Sequence, residues 1–209
     1  MTQRDSDAET AEAERHRAKM AKRKAVQDAE VASKSVAAKG LLMVHTGPGK
    51  GKSTAAFGLA LRALGRGRKV GVVQFIKGAW ETGERLALAR FDERLVWRTM
   101  GEGFTWETQD RARDARAAQA AWEASRAMLE DAAFDLVVLD ELNVALRYDL
   151  VPLADVLAAL ATRPAMQHVV VTGRNAKPDL VAAADLVTEM AAVKHHFAAG
   201  VRAQEGVEF

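Results

Sequence analysis

The chain lacks cysteine altogether, and among its 209 residues it has only four prolines and one tyrosine. Without cysteine it can form no disulfide, thiolate nucleophile, Cys-ligated zinc site or iron–sulfur centre. It also lacks an apolar run near the roughly 18 residues that a membrane span needs. Its first residues, MTQRDSDAET, lack the basic and apolar regions of a secretory signal. We therefore expect a cytoplasmic protein that does not act in a membrane.

The overall composition is that of one globular domain, with 49% hydrophobic and 28% charged residues. The formal net charge is only +2. A protein that binds nucleic acid usually has a larger basic excess on one face, so we expect no nucleic-acid partner.

The first 39 residues differ from the rest of the chain, since they contain no Gly, Pro, Leu, Ile or aromatic residue. Good helix formers dominate there, but they offer too little apolar surface for a core. We predict that residues 1–39 form a charged arm, helical or disordered, before a domain at 40–209. Six basic groups lie close together in the arm: Arg15, Arg17, Lys19, Lys22, Arg23 and Lys24. They fit either a solvated helix face or a docking arm for an anionic ligand or partner subunit.

From residue 41 onward, short apolar strands alternate with helical patterns. The predicted strands are Leu41–Thr46, Val70–Ile76, Leu95–Thr99, Leu136–Leu139 and Val169–Thr172. The predicted helices are Ser53–Leu64, Gly83–Phe91, Gln109–Asp131, Leu142–Arg147, Pro152–Ala161 and Asp179–Ala184. Thr108 is the expected N-cap of the longest helix. This alternation predicts an α/β fold of the P-loop NTPase type, with a parallel sheet covered by helices on both faces. The tail from Val193 has no clear pattern.

A glycine-rich loop follows the first predicted strand and opens the next helix. Its residues are Thr46, Gly47, Pro48, Gly49, Lys50, Gly51, Lys52, Ser53 and Thr54. Glycines let backbone amides turn toward a phosphate, and the helix N-terminus adds partial positive charge. Lys52 adds a full charge, and Ser53 offers a hydroxyl for Mg²⁺. Thr46 stands where the usual phosphate loop has its first glycine, yet the strand–loop–helix context and the Gly-Lys-Ser core predict a triphosphate site.

Two acids, Asp140 and Glu141, follow the apolar strand that begins at Leu136. In P-loop proteins such a strand delivers a carboxylate toward the metal ion. We therefore predict that Ser53, Asp140 and Glu141 hold Mg²⁺, with Mn²⁺ as the alternative. The two acids could instead cap the helix that follows them.

Three further segments narrow the range of possible substrates, namely Val73–Gly78, Gly103–Thr108 and Leu139–Asn143, and Thr172–Asn175 adds to the pattern. Together with the loop at Thr46–Thr54, they resemble the P-loop type of ATP:corrinoid adenosyltransferase. The likeness is loose through the arm and close after it. Gly-Phe-Thr-Trp-Glu-Thr at 103–108, combined with the variant loop, carries most of its specificity.

The resemblance implies that a cob(I) corrinoid attacks C5′ of ATP and that triphosphate leaves, in adenosylcobalamin biosynthesis or salvage. It implies a homodimer, a nucleotide bound in reverse of the usual direction, and a reduced flavin or flavoprotein as electron donor. Because the reduced metal is the nucleophile, no side-chain base is needed. Lys52, the loop amides and Mg²⁺ would stabilise the leaving triphosphate, with Lys50 as a second candidate cation.

Phe104 and Trp106 match the aromatic pair that displaces the lower axial ligand of the corrinoid in this family. On sequence alone, core packing explains the two rings equally well. The resemblance also implies that the arm helps to cover the corrinoid. Two residues depart from the family pattern, since Pro48 replaces a common Asn and Ser53 a common Thr.

Two other functions remain open at this point. A P-loop ATPase or kinase would cleave the β–γ bond of ATP, and its products would be ADP and either phosphate or a phosphorylated acceptor. A non-catalytic binder would carry or sense the corrinoid or the nucleotide without turnover.

Overall fold

The structure is a computed structural model, and it describes residues 3–34, 39–76, 82–100 and 110–208. The predicted aromatic pair Phe104 and Trp106, and Thr108, lie outside the described residues. The chain divides into two compact units, Met1–Ala38 and Lys39–Phe209.

The first unit is one helix, α1, at Gln3–Ser33. Its side chains from residue 12 onward are exposed, including the three larger apolar ones, Met20, Val26 and Val31. Ion pairs one turn apart lie along it, with Lys24 Nζ 2.6 Å from Asp28 Oδ2. Such pairs support an exposed helix that has no apolar stripe of its own to bury.

The second unit contains a six-stranded sheet. Its strands are β1 (Leu42–Thr46), β2 (Val70–Gln74), β3 (Leu95–Thr99), β4 (Leu136–Asp140), β5 (His168–Thr172) and β6 (Leu186–Glu189). Their order across the sheet is β3-β2-β4-β5-β1-β6, and every neighbouring pair is parallel. This confirms the predicted parallel α/β fold.

Helices cover both faces of the sheet. They are α2 (Lys52–Gly65), α3 (Gly83–Leu88), α4 (Arg111–Glu130), α5 (Leu142–Arg147), α6 (Leu153–Thr162) and α7 (Pro178–Ala183). Successive strand residues point to opposite faces. Val44 and Leu139 therefore pack with α4, α5 and α6, whereas Met43 and Val138 pack with α2 and α3. Among the described residues, no helix combines the length and the apolarity of a bilayer-spanning segment.

Several predicted bounds differ from the structure, since the strand predicted at Val70–Ile76 ends at Gln74 and the helix predicted at Gly83–Phe91 ends at Leu88, before a 3-10 helix at Ala89–Arg94. The long helix α4 begins at Arg111, and Asp110 rather than Thr108 is its N-cap, because the Asp110 carboxylate accepts hydrogen bonds from the amides of Ala112 and Arg113 at 3.0 Å. The sixth strand, β6, was not expected. It is only four residues long, and all four residues are exposed at the sheet edge. It therefore lacks the apolar run that reveals the central strands.

The order of the strands decides where a ligand can bind. The carboxyl ends of β1, β5 and β4 are neighbours. From β1 the chain leads to β2 on one side of this group, and from β5 it leads to β6 on the other side. In open parallel sheets, ligands bind at this edge. The glycine-rich loop follows β1, and the two acids lie at the end of β4, so both predicted motifs meet at the carboxyl edge.

Candidate active site

The glycine-rich loop is packed tightly against the segment that follows β6. A Cβ atom on Gly47 would lie 2.6 Å from the Met190 carbonyl oxygen, and one on Gly49 would lie 2.5 Å from that of Ala191. The Gly49 amide donates a hydrogen bond of 2.6 Å to the Met190 carbonyl. These two glycines therefore serve the packing of the loop, and the Gly49 amide already has a protein partner instead of facing a phosphate.

Thr46 explains why the first position of the loop is not glycine here. Its hydroxyl accepts a hydrogen bond of 3.1 Å from the Ala176 amide, and its carbonyl accepts one of 2.9 Å from the Met190 amide. Thr46 thus joins the end of β1 to the loops after β5 and β6. A glycine could make only the second of these contacts.

Lys52 lies in the first turn of α2, and it is 6% exposed. Its Nζ donates a hydrogen bond to the Gly49 carbonyl. Burial lowers the pKa of Lys52, the nearby positive charges of Arg174 and Lys50 lower it further, and Glu141 opposes them. The cationic groups thus outnumber the acid around this buried ammonium. A polyanion placed there would relieve their repulsion.

The other loop residues are more accessible. Gly51 precedes α2 with a φ of 101°, a conformation that glycine adopts without strain. Pro48, Lys50 and Thr54 are exposed, and Ser53 is half-buried. Lys50 Nζ lies 2.9 Å from Glu208 Oε2, near the C-terminus.

Asp140 is completely buried at the end of β4. One carboxylate oxygen accepts from Gln74 Nε2 at 3.0 Å, and the other from the Thr172 hydroxyl at 2.8 Å. The Gln74 side-chain oxygen in turn accepts from Trp97 Nε1 at 3.0 Å and from the Thr99 hydroxyl at 3.1 Å. Asp140 therefore joins four parallel strands through a satisfied polar network.

Glu141 is the acid that faces the loop. It has a φ of 63°, which is unusual for a residue with a side chain, and it starts α5. Its carboxylate lies against Gly173, where an added Cβ would be 3.1 Å from Oε2. The negative charge of Glu141 also raises the pKa of Lys52. The Thr172 hydroxyl holds this turn by accepting the Glu141 amide at 2.9 Å.

The structure thus brings the loop, Lys52, Ser53, Asp140 and Glu141 to one edge, but it gives the two acids different surroundings. Gln74 and Arg174 belong to segments that carry the family resemblance, but nothing in the local sequence of Glu208 indicated that it reaches the site. Among residues 3–34, 39–76, 82–100 and 110–208, no cluster of three or more His, Cys, Asp or Glu side chains could enclose a metal ion. A metal here would need oxygens from its ligand as well.

Comparison with known proteins agrees with this geometry. Residues 38–209 match the family model described as ATP:corrinoid adenosyltransferase BtuR/CobO/CobP, and residues 3–31 match one described as Cob(I)alamin adenosyltransferase N terminal. A corrinoid adenosyltransferase of Pseudomonas aeruginosa is 57% identical over 94% of this chain and 96% of its own length. Another from Sinorhizobium is 52% identical over 93% and 92%.

A third relative, the corrinoid adenosyltransferase CobA of Salmonella typhimurium, is 47% identical to this chain. The match covers 94% of this chain and 98% of that protein. Together with the family match over the whole α/β unit, these identities leave no ambiguity. The chain belongs to the ATP:corrinoid adenosyltransferase family.

Proposed function

We propose that the carboxyl edge of the sheet binds the triphosphate of ATP and that the enzyme transfers the 5′-deoxyadenosyl group to the cobalt of a cob(I) corrinoid. The observation that carries this proposal is the buried ammonium of Lys52, which is bonded to the phosphate loop through the Gly49 carbonyl. Triphosphate is the part of ATP that needs such charge. The product serves adenosylcobalamin biosynthesis or salvage, which agrees with the family to which the chain belongs.

Stabilisation of the leaving group is the main chemical task of the protein. The cobalt nucleophile forms a bond to C5′ as the bond from C5′ to the α-phosphate oxygen breaks, so negative charge grows on the triphosphate. Lys52 lies in a site with little access to water, where its attraction to that charge is strong. Cations that are already in place cost no reorganisation when the bond breaks.

The nucleotide has to lie in reverse of the direction used by phosphoryl-transfer enzymes. The resemblance to the family motifs suggests that the loop grips the polyphosphate, so that C5′ faces the corrinoid. Loop packing supports a fixed grip, because Gly49 is held by the carbonyl of Met190. A loop held in this way changes little when the ligand arrives.

The residues present fit Mg²⁺ as a partner of the triphosphate, or Mn²⁺ in its place. Mg²⁺ prefers oxygen ligands, and in nucleotide sites one or two carboxylates with phosphate oxygens and water are enough. Ser53 lies in the first turn of α2, and the charge of Glu141 acts on Lys52 in the same turn, so both would be ligands of the ion. Asp140 would be the third ligand, because each of its oxygens accepts only one protein hydrogen bond and keeps a further acceptor site. The ion would neutralise part of the charge of the leaving triphosphate.

Phe104 and Trp106 are proposed to displace the lower axial ligand of the corrinoid, on the strength of the resemblance alone. Losing this donor makes Co(II) easier to reduce. Phe104→Ala and Trp106→Ala should therefore slow the reaction from Co(II) far more than the reaction from chemically prepared Co(I). Equal losses from both starting states would mean that the two rings only position the corrinoid.

The remaining parts of the proposal follow the family pattern. We propose a homodimer whose N-terminal arm helps to cover the corrinoid, and a reduced flavin or flavoprotein as the electron donor. A cytoplasmic location, where ATP is available, belongs with this proposal. Sedimentation equilibrium would test the dimer, and truncation before Lys39 would test the arm through the KM for the corrinoid.

The reaction itself is tested by its products. The enzyme is incubated with ATP, Mg²⁺ and a chemically reduced corrinoid under anaerobic conditions. We expect one inorganic triphosphate for each adenosylated corrinoid, measured by phosphorus NMR and by the absorption spectrum of the corrinoid. ADP and phosphate as the only products would indicate a P-loop ATPase or kinase instead. A tight complex without turnover would indicate a carrier or sensor.

A further inference from the structure

The C-terminal segment, residues 190–208, contacts the phosphate loop at two points. At its start, the Met190 carbonyl accepts the Gly49 amide. At its end, Glu208 Oε2 lies 2.9 Å from Lys50 Nζ. The loop and the C-terminal segment are therefore joined by a contact between Lys50 and Glu208, which are 158 residues apart in sequence.

The carboxylate of Glu208 is held through one of its oxygens, because the other, Oε1, is buried without a hydrogen-bond partner among the described residues. While Lys50 contacts one oxygen, the other lies 2.7 Å from Nε2 of His196. The His196 ring is stacked on that of His195, with the ring centres 4.7 Å apart. The Glu208 side chain is only 17% exposed, whereas that of Lys50 is 46% exposed. The acid is thus the better fixed partner of the pair.

Lys50 connects this carboxylate to the phosphate site. The charge of Lys50 helps to lower the pKa of Lys52, so the two ammonium groups both contribute positive charge to the phosphate loop. The hydrogen bond from Lys50 is the main reason that the pKa of Glu208 is lowered. An ammonium has three hydrogen atoms to donate, so Lys50 can bind Glu208 and still donate to a phosphate oxygen.

We propose that Glu208 is a positioning residue, which holds Lys50 over the phosphate loop so that its ammonium is already in place for the triphosphate. This inference rests on the proposed function, since it assigns a role at the same site. A half-exposed lysine on a loop samples many rotamers, and a ligand that has to order it binds more weakly. The fixed carboxylate removes much of that freedom before the ligand arrives.

The test measures the affinity for inorganic triphosphate with Mg²⁺ by calorimetry, without corrinoid. We expect Glu208→Ala to weaken binding by about 3- to 10-fold, the effect of one side chain left unordered. Glu208→Gln should recover part of the loss, because its amide oxygen can still accept from Lys50. Glu205→Ala is the matched control, since Glu205 is an exposed acid of the same segment, and it should leave the affinity unchanged.

A double-mutant cycle separates positioning from a simple tether. In a Lys50→Ala background, Glu208→Ala should have no further effect on triphosphate affinity, because the group that it positions is gone. An equal loss in both backgrounds would mean that Glu208 only anchors the tail, and it would overturn the proposal. Tighter binding by Glu208→Ala would also overturn it, because the carboxylate would then compete with phosphate for Lys50.

Failure of this inference can be told from failure of the proposed function. If the unaltered enzyme binds triphosphate and both Glu208 variants bind it equally well, only the positioning role is wrong. If the unaltered enzyme does not bind triphosphate, the proposed site is wrong and the inference falls with it. If Glu208→Ala unfolds at a lower temperature than the unaltered enzyme, the triphosphate affinity of Glu208→Gln is compared with that of the unaltered enzyme instead. This variant retains a hydrogen-bond acceptor at the same position.

Discussion

The two ends of the sheet use charged residues in opposite ways. At the amino edge, charges pair to close the fold, since Asp185 Oδ1 lies 2.5 Å from Lys39 Nζ and Oδ2 accepts the Leu42 amide at 2.9 Å. At the carboxyl edge, Lys52 is buried and its ammonium donates to the neutral carbonyl of Gly49. A charge paired with an opposite charge supports the structure, whereas a buried ammonium bonded to a neutral carbonyl is available to an anionic ligand.

Positive φ angles are frequent in the backbone at the carboxyl edge. Each of the three strands that meet at the site is followed by positive φ angles: Gly47 and Gly51 after β1, Glu141 after β4, and Gly173 and Asn175 after β5. Positive φ is sterically unfavourable for residues with a side chain. Glu141 and Asn175 therefore store strain at the edge that binds the ligand, and the polar network around Asp140 holds Glu141 in place.

The largest expected effect comes from removing the central charge of the site. Lys52→Ala should lower turnover by about 10²- to 10³-fold, which is typical when one stabilising donor is lost. The free energy of unfolding should not fall, because the buried ammonium is desolvated. Rates of adenosylcorrinoid formation and a thermal unfolding curve measure the two properties. The control, Lys39→Ala at the amino edge, should lower stability and leave turnover unchanged.

The packing of the loop supplies the next largest effect. Gly49→Ala places a Cβ within 2.5 Å of the Ala191 carbonyl oxygen, so the loop and the segment after β6 must separate. We expect a loss of up to about 3 kcal/mol in unfolding free energy, together with weaker ATP binding. In Gly58→Ala the new methyl group meets nothing within 4 Å, and this substitution in α2 should stabilise the protein by about 1 kcal/mol. Denaturant unfolding would show whether the two changes have opposite signs, as predicted.

The two ends of β4 each have an acid, so the stability that each acid contributes can be compared between the carboxyl edge and the amino edge of the sheet. Asp140→Asn removes the charge that accepts from Gln74 and Thr172 in a completely buried network, which should destabilise the protein by about 2 kcal/mol. Asp135→Asn, just before β4, affects a half-exposed carboxylate paired with Arg68 and should cost less than about 1 kcal/mol. Equal losses in urea unfolding would contradict the distinction between the two edges.

The smallest effect is a pH dependence at the amino edge. The hydrogen bond from Lys39, followed by that from the Leu42 amide, lowers the pKa of Asp185 below its ordinary value. Its stabilisation is therefore fully present above the unfolded pKa of about 3.9 and is lost as pH falls through the folded value. Asp185→Asn should melt at a lower temperature at neutral pH, and the difference should vanish in acid. Asp28→Asn in α1, whose acid is 63% exposed, should change the melting temperature little at neutral pH.

The sequence predicted the central strands and the loop because their signals are local. Buried parallel strands are continuous apolar runs, and a phosphate loop is contiguous in sequence. The edge strand β6 has neither property, since its four residues are exposed. The start of α4 was predicted two residues early, because Thr108 was taken as the N-cap and Asp110 caps the helix in the structure.

Roles that depend on long-range contacts could not be predicted in the same way. Asp140 and Glu141 are adjacent and chemically similar, but a change of φ after the last strand residue turns one into the core and the other toward Lys52. The glycines were assigned to phosphate access, whereas those at 47 and 49 also leave room for the backbone after β6. The pairing of Lys50 with Glu208 joins two residues that no local pattern links.

The direction of the bound nucleotide is the central claim, and electron–nuclear double resonance measures it directly. A Co(II) corrinoid is bound to the enzyme with ATP that carries carbon-13 at C5′, and the couplings of the cobalt electron to that carbon and to each phosphorus are compared. Because dipolar coupling falls with the cube of distance, we expect the carbon coupling to exceed every phosphorus coupling. If the γ-phosphorus proved to be the nucleus nearest the cobalt, the proposed transfer of the 5′-deoxyadenosyl group would be contradicted.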